Sequence, residues 1–381
     1  MTRPDGDRAT PATAGSAERF GVYIHIPFCV HRCDYCAFAT WTDRTGLAPR
    51  YLDACIHQAA RAVADAPEVT SVFVGGGTPS LVDPRHLGRL IAATGAGPGA
   101  EITVECNPDD VTDERLAVLA DAGVNRLSIG VQSMDPEVLA SLGRTHDPSN
   151  VHRAAEAAHA AGIDFNIDVI YGGKGESVES WEATLGAVVA LEPVHVSAYA
   201  LTVEAGTPLA KDPARHPDDD DQATKYRITS DTLDGAGFEW YEISNWARPG
   251  HRCVHNLTYW LGGDYAAVGC AAHGYRAGRR YWHVYTPERY IDALCEGHSP
   301  VAGSEVLDAD AARIERLELL LRTGAGVPID ALDPVDVDGD LVGLVYLADQ
   351  VAASWGVGST PRWLLTERGR LLENEVAFRL R

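Results

Sequence analysis

The chain has 381 residues, of which 45% are apolar and 23% are charged, and its formal net charge is −22. This length and apolar content fit one large folded domain with an appendage, and they exclude a chain that is disordered throughout. The acidic balance excludes non-specific binding to nucleic-acid phosphates, which needs clustered Lys and Arg side chains. No stretch approaches the roughly 18 consecutive apolar residues of a membrane-spanning helix.

The first 20 residues lack the apolar core of a secretion signal. We therefore expect a disordered tail over residues 1–20 and a cytoplasmic protein. In that compartment the eight cysteines would stay reduced unless they bind a metal.

From residue 21 onward, short β-rich runs alternate with helical patterns. The predicted strands are residues 22–26, 71–75, 101–105, 126–130, 164–170 and 195–201. The predicted helices are residues 49–65, 85–94, 113–122, 149–161, 178–191 and 222–237. Six such repeats predict parallel strands joined by right-handed crossovers. Because six are too few for a closed eight-fold barrel, we expect an α/β fold with a partial barrel, and a doubly wound sheet is the alternative.

Beyond residue 240 the regular alternation stops. A further strand is predicted for residues 239–244, and apolar periodicity predicts a helix over residues 311–323. The pattern over residues 341–381 predicts a helix, a short strand at residues 363–366 and a closing helix. We expect an α+β extension with a winged-helix-like end. Few cations lie near it, which favours packing or partner contact over DNA reading.

Polar and small residues follow the predicted strands at the points where they end. They are the run from Gly75 to Ser80, then Glu105, Asn107, Gln132, Asp168, Tyr199 and Ala200. Because the carboxyl ends of parallel strands meet at one edge of the sheet, we expect these residues to form one shared site.

Cys29, Cys33 and Cys36 form a C-x3-C-x2-C cluster just after the first predicted strand. Three cysteines this close in a cytoplasmic chain indicate a metal site. A four-iron cluster normally takes four thiolates, so three local ligands would leave one iron open to another molecule. A zinc site that adds His25 or His31 is the alternative.

This cysteine spacing resembles that of the radical S-adenosylmethionine family. The resemblance implies that Cys29, Cys33 and Cys36 hold a [4Fe-4S] cluster, with Tyr35 as the aromatic residue that the family prefers before the third cysteine. It also implies that the open iron binds the amino and carboxylate groups of S-adenosylmethionine, which the family cleaves to a carbon radical. Residues 75–77, all glycine, resemble the family's loop for the methionine amino group, although a glycine run by itself often only forms a turn.

Further motifs resemble a subgroup that contains oxygen-independent coproporphyrinogen III dehydrogenase and a heme chaperone. In chain order they are YIHIPFC, GGGTPS, ECNP, RLSIGVQS, LGR and IDVIYG. The resemblance covers roughly residues 21 to 381, and it implies a radical S-adenosylmethionine partial barrel over residues 21–245 and an extension shared with the subgroup over residues 246–381. The implied S-adenosylmethionine contacts are Tyr23, Gly76, Gly77, Thr78, Glu105, Gln132, Arg144, Asp168 and Ala200. An ordinary ion pair between Arg144 and Asp168 is the alternative for those two residues.

Two features favour the heme chaperone branch of this subgroup. The dehydrogenase carries a further cysteine two residues after the third, where this chain has Phe38. The segment from His255 to Trp260 matches the HNxxYW signature of the chaperone branch. Because imidazole is a common axial ligand of heme iron, His255 is predicted to belong to a heme site. The alternatives are His251, His273 and Cys253.

These resemblances predict a heme chaperone that binds a [4Fe-4S] cluster, S-adenosylmethionine and heme, and passes heme to acceptor proteins such as respiratory enzymes. The alternative is an enzyme that decarboxylates coproporphyrinogen III propionates by means of a 5′-deoxyadenosyl radical, and a radical methyltransferase is a third reading. We expect no nucleic-acid partner, and a homodimer through the cluster region stays open.

Overall fold

The computed structural model describes residues 19–381, so most of the tail predicted from the sequence lies outside the described residues. The first six strands are β1 (Phe20–Ile26), β2 (Ser71–Gly76), β3 (Glu101–Cys106), β4 (Arg126–Gln132), β5 (Asp164–Tyr171) and β6 (His195–Ala200). The helices that follow them are α1 (Ala48–Ala62), α2 (Pro84–Ala92), α3 (Asp113–Asp121), α4 (Pro136–Ser141), α5 (Pro148–Ala161), α6 (Val178–Ala190) and α7 (Asp219–Gly235). The predicted strand–helix repeats are confirmed, and α4 is a short helix that was not predicted.

Nine further strands and six further α-helices follow in the described part of the chain. The strands are β7 (Glu239–Glu242), β8 (Asn245–Ala247), β9 (Asp264–Val268), β10 (His273–Arg276), β11 (Arg279–His283), β12 (Val301–Val306), β13 (Val327–Pro328), β14 (Val345–Ala348) and β15 (Arg362–Leu365). The helices are α8 (Val254–Trp260), α9 (Pro287–Cys295), α10 (Ala309–Leu321), α11 (Pro334–Asp338), α12 (Glu367–Leu371) and α13 (Glu373–Ala377). None of the helices within residues 19–381 is long and apolar enough to cross a membrane.

Twelve strands form one open sheet in the order β12-β11-β10-β9-β1-β2-β3-β4-β5-β6-β8-β7. Strands β1 to β6 are parallel and follow one another in chain order, so these six strands have no topological switch point among them. This order confirms the partial barrel and excludes the doubly wound alternative. The sheet is open rather than closed.

Strands from the predicted extension continue the same sheet. β9 pairs in parallel with the free side of β1, and β10, β11 and β12 add to it as antiparallel neighbours. The predicted extension supplies these four strands to the barrel sheet, so the sheet itself does not end at the predicted domain boundary after residue 245. That boundary stays a prediction.

The two faces of the sheet differ in chemistry. Successive side chains of a strand point to opposite faces, and on β1 the fully buried Val22, Ile24 and Ile26 pack in the main apolar core. Tyr23 and His25 point to the other side. We call this second side the inner face. On β3, β4 and β5 it carries Glu105, Ser128, Asn166 and Asp168, so the interior of the partial barrel is polar.

The end of the chain differs from the prediction. The helix expected from residue 341 is absent, and residues 345–348 form strand β14 instead. Gly343 has φ of +77°, a conformation that ends a helix and suits glycine. Strand β15 pairs with both β13 and β14, and this unit packs in a second apolar cluster that also includes Tyr241, Ala247 and Leu257. The extension is therefore α+β, as predicted, with a three-stranded sheet in place of one strand.

Candidate functional site

The three clustered cysteines lie in a loop that leaves the carboxyl end of β1, residues 27–41, which we call the cluster loop. The loop closes on itself, because the Cys29 N–H donates to the Trp41 carbonyl at 3.1 Å and the Trp41 N–H donates to the Pro27 carbonyl at 2.8 Å. All three cysteines are free thiols within eight residues of the same loop. Cys29 is buried, and Cys33 and Cys36 are half-buried.

His25 attaches the last part of the cluster loop to strand β1. Its Nε2 lies 2.9 Å from the Ala39 carbonyl oxygen, and its Nδ1 lies 3.0 Å from the Tyr23 hydroxyl. Because a carbonyl only accepts, Nε2 carries the proton and Nδ1 accepts from Tyr23. Burial lowers the pKa of His25, so the ring is neutral at neutral pH. His25 is a positioning residue that sequence reasoning considered only as a zinc ligand.

Two neighbouring side chains direct donors at the cysteine sulfurs. Thr78 Oγ1 lies 3.6 Å from Cys29 Sγ, and Arg144 Nη1 lies 3.6 Å from Cys33 Sγ. Burial raises the pKa of the Cys29 and Cys36 thiols, so they need an added positive charge to ionise. Three thiols with a hydroxyl and a guanidinium beside them fit an iron–sulfur cluster, whose sulfurs are stabilised by such donors.

The glycine loop at the end of β2, residues 75–77, packs against the base of the cluster loop. The Gly77 N–H donates to the Ile26 carbonyl at 2.7 Å, and the Gly76 N–H donates to Glu105 Oε2 at 2.9 Å. A Cβ on Gly76 would lie 2.3 Å from His25 Nδ1, and a Cβ on Gly77 would lie 2.6 Å from a backbone oxygen. The approach of the two loops therefore requires glycine at both positions.

Arg144 and Asp168 have separate partners in the structure. Arg144 Nη2 donates to the Gly130 carbonyl at 2.6 Å, whereas Asp168 accepts from Ser128 Oγ at 2.6 Å and from Asn166 Nδ2 at 3.3 Å. Between them the described residues show no ion pair, so the ion-pair alternative is wrong. Burial raises the pKa of Asp168, and its hydrogen bonds partly offset that effect.

A polar cavity of about 190 Å³ opens along the inner face beneath these loops. Its lining residues are Phe73, Glu105, Ser128, Asn166, Asp168, His195, Ser197, Tyr199, Cys253 and Asn256. Burial and the nearby Asp168 raise the pKa of Glu105 to about 7, and the hydrogen bond from Gly76 opposes this shift. Two half-buried carboxyl groups and several hydroxyl and amide groups can bind a polar ligand with amino and hydroxyl groups.

The other predicted contacts lie at the same edge of the sheet. Gln132 ends β4 with φ of +64°, and Ala200 is exposed at the end of β6. Tyr35 is half-buried against a small apolar cluster beside the cluster loop, and burial raises its pKa. The structure thus places Gln132, Ala200 and the cluster loop at the carboxyl edge of the sheet, with Tyr23, Glu105 and Asp168 on the inner face. Contact of these residues with S-adenosylmethionine stays a prediction.

His255 lies at the opposite edge. The His255 ring packs against Gly21 near the start of β1, where a Cβ added to Gly21 would lie 3.0 Å from the ring. From Gly21 the strand extends about 17 Å to its carboxyl end, where the cluster loop begins. His255 is fully buried, with Nδ1 2.9 Å from Ser71 Oγ and Nε2 2.6 Å from the Tyr259 hydroxyl. Neither ring nitrogen has a free position for iron in this conformation, and its role in a heme site stays a prediction.

Comparison with known proteins places this geometry in a family. Residues 23–188 match the model of the Radical SAM superfamily. The chain is 42% identical over 371 residues to the heme chaperone HemW of Mycobacterium tuberculosis, which covers 94% of this chain and 93% of the relative. It is 32% identical to HemW of Bacillus subtilis, covering 93% of this chain and 97% of that protein.

A solved structure shares the fold over nearly the whole chain. It is coproporphyrinogen III oxidase, HemN, from Escherichia coli, described as a Radical SAM enzyme. The TM-score is 0.78 at 22% sequence identity, covering 98% of this chain and 93% of that chain. The fold, the cysteine loop and the full-length similarity agree, and the chain belongs to the HemW family of radical S-adenosylmethionine proteins.

Proposed function

We propose that this protein is a heme chaperone that binds a [4Fe-4S] cluster, S-adenosylmethionine and heme, and that it passes heme to acceptor proteins. The observation that carries the proposal is its similarity, along more than nine-tenths of the chain, to relatives named heme chaperones. Phe38 supports it, because this side chain occupies the position of the dehydrogenase's further cysteine and is 65% exposed.

Cys29, Cys33 and Cys36 would hold the cluster, which when bound supplies one-electron chemistry and an open iron for a ligand. The surrounding residues hold the loop in place and shield it. Tyr23 and His25 position the backbone, while Thr78 and Arg144 donate toward the sulfurs.

S-adenosylmethionine would bind between the cluster loop and the inner cavity. Nine residues are assigned to it in this proposal: Tyr23, Gly76, Gly77, Thr78, Glu105, Gln132, Arg144, Asp168 and Ala200. Glu105 and Asp168 line the cavity and offer half-buried acceptors for amino and hydroxyl groups. Gly76 uses its own N–H to orient the Glu105 carboxyl.

Heme would bind outside this cavity. About 190 Å³ is below the roughly 300–1,000 Å³ of pockets that hold drug-sized ligands, and a porphyrin is larger than most of those. Exposed apolar side chains lie around the cluster loop, including Val30, Phe38 and Tyr285, which are 76%, 65% and 58% exposed. They could cover one face of a flat apolar ring.

We further propose that the acceptors include respiratory heme enzymes, that the protein acts in the cytoplasm, and that it forms a homodimer through the cluster region. The reduced state that the cluster cysteines require supports the location. The exposed Val30 and Phe38 support the interface, since exposed apolar patches mark contact sites.

The alternative function is oxidative decarboxylation of coproporphyrinogen III, and an anaerobic assay separates the two. The reconstituted protein would be given S-adenosylmethionine, a reductant and coproporphyrinogen III, and in a parallel experiment it would be titrated with heme. We expect saturable heme binding and no decarboxylated product. Formation of protoporphyrinogen at catalytic turnover would contradict the chaperone proposal.

A further inference from the structure

The inner face continues beyond the barrel onto β9, β10 and β11. Strand pairing places Ala267 beside Tyr23, and the antiparallel pairs Tyr265–Tyr275 and His273–Trp282 carry the same face outward. Beyond β9 the sheet continues with β10, β11 and β12, and this part of the inner face forms a shelf that is exposed at its histidine and half-buried at its other residues. Its residues are Tyr275 and His273 on β10, and Arg280 and Trp282 on β11. We call it the β10–β11 shelf.

His273 is an exposed imidazole held against an aromatic ring on this shelf. Its ring stacks on that of Trp282, with a centroid distance of 6.0 Å and an interplanar angle of 27°. A Cβ on Gly303 of β12 would lie 2.4 Å from the indole, so Trp282 lies directly over a glycine. The indole is thus supported from below and fixes one side of the imidazole.

The ring nitrogens of His273 have no partner within residues 19–381, and few histidines share this property. Three others do: His31, His57 and His152. His57 and His152 lie on α1 and α5, which cover the outer side of the sheet. His255, by contrast, has both nitrogens bonded. Among the described residues on the inner-face side, only His31 and His273 have no hydrogen-bond partner at either ring nitrogen. Of these two, only His273 stacks on an aromatic side chain, that of Trp282.

We propose that His273 is an axial ligand of heme iron and that the β10–β11 shelf, with Trp282 and Tyr275, contacts the porphyrin. This inference rests on the proposed heme-binding function and assigns its site. A neutral imidazole is the form that ligates a metal, and aromatic rings provide apolar contact for a flat macrocycle.

The position of the shelf agrees with a role beside the S-adenosylmethionine site. His273 lies two strand spacings from Tyr23 across the inner face, which is about 10 Å. Ala267, the residue between them, is small and fully buried. Partial burial, followed by the positive charge of Arg280, lowers the pKa of His273 and keeps the imidazole neutral. Arg280 itself is paired with Glu305 and Glu315.

A heme titration of the full chain tests this assignment. Ferric heme would be added to the wild type, His273→Ala, His273→Met and His31→Ala, with His298→Ala as the control for an exposed histidine away from the shelf. We expect His273→Ala to bind heme at least about tenfold more weakly, with loss of the imidazole-ligated spectrum. His273→Met would bind with a shifted Soret band because a thioether replaces the imidazole. His31→Ala and His298→Ala would behave like the wild type.

The outcomes separate this inference from the proposed function. If the wild type binds no heme, both the function and the ligand assignment are wrong. If the wild type binds heme and the two His273 variants keep its spectrum and affinity, only the assignment is wrong. A spectral change confined to His31→Ala would place the ligand in the cluster loop and would also overturn the assignment. Because His273 is exposed, all variants should melt like the wild type, and this is checked first.

Discussion

Replacing Gly76 with alanine tests how the glycine loop supports the cluster loop. Gly76 has φ of +112°, and an added Cβ would lie 2.3 Å from Nδ1 of His25. Holding alanine in such a backbone conformation costs about 1–3 kcal/mol. If the imidazole moves aside, its hydrogen bonds to Tyr23 and Ala39 are lost, at about 1 kcal/mol each. The combined cost is about 3–5 kcal/mol.

We therefore expect Gly76→Ala to bind less iron after anaerobic reconstitution and to melt at a lower temperature, because the cluster loop loses its attachment to β1. Gly186→Ala on α6 is the matched control, since nothing lies within 4 Å of its added Cβ. In a helix interior that change should stabilise by about 0.5–1 kcal/mol. A Gly76→Ala protein that loads iron and melts like the Gly186→Ala control would refute the packing argument.

Three further predictions concern buried charges and the cluster ligands. Lys225 Nζ lies 3.1 Å from Glu176 Oε2 and both side chains are buried, so Lys225→Met should destabilise by about 3–5 kcal/mol in urea unfolding. Adding Glu176→Gln should recover part of this loss, and no recovery would mean that the pair is not the cause. Burial raises the pKa of Glu105 from 4.5 to about 7, so the folded apoprotein retains a proton that the unfolded chain has lost. Its stability should then fall by up to about 3 kcal/mol as the pH rises from about 4.5 to about 7, and Glu105→Gln should remove this decline. Replacing Cys29, Cys33 and Cys36 together should abolish the visible absorption and the iron content of the reconstituted protein. If either the absorption or the iron content survived, the assignment of these cysteines as cluster ligands would be wrong.

The sequence predicts the barrel half of the structure well because each strand there has a strong local signal. Strands such as β1 combine apolar residues on one face with polar residues on the other, and glycines mark the loops that follow. The rule that parallel strands end at one edge then brings Glu105, Asp168 and the cysteines together without any knowledge of distances.

The rest depends on long-range packing that a local pattern does not contain. Strand β12 has no buried residue, so it lacks the apolar alternation that would have revealed it. The signature residue His255 has partners in distant parts of the chain, and Ser71 is 184 positions away in sequence. A motif match predicts that α8 matters, whereas only the packing of α8 against β1 and β2 places it at the edge far from the cysteines. The free imidazole of His273 likewise emerges only when β10 and β11 are paired.

Transfer of heme to an acceptor tests the central claim most directly. The heme-loaded protein would be mixed with increasing amounts of an apo-cytochrome of the b type, and the appearance of the holo-cytochrome spectrum would be followed. A chaperone that hands heme over by contact predicts a rate that rises with acceptor concentration and a yield equal to the heme lost. A rate independent of acceptor concentration would mean passive release into solution, and that result would contradict the account.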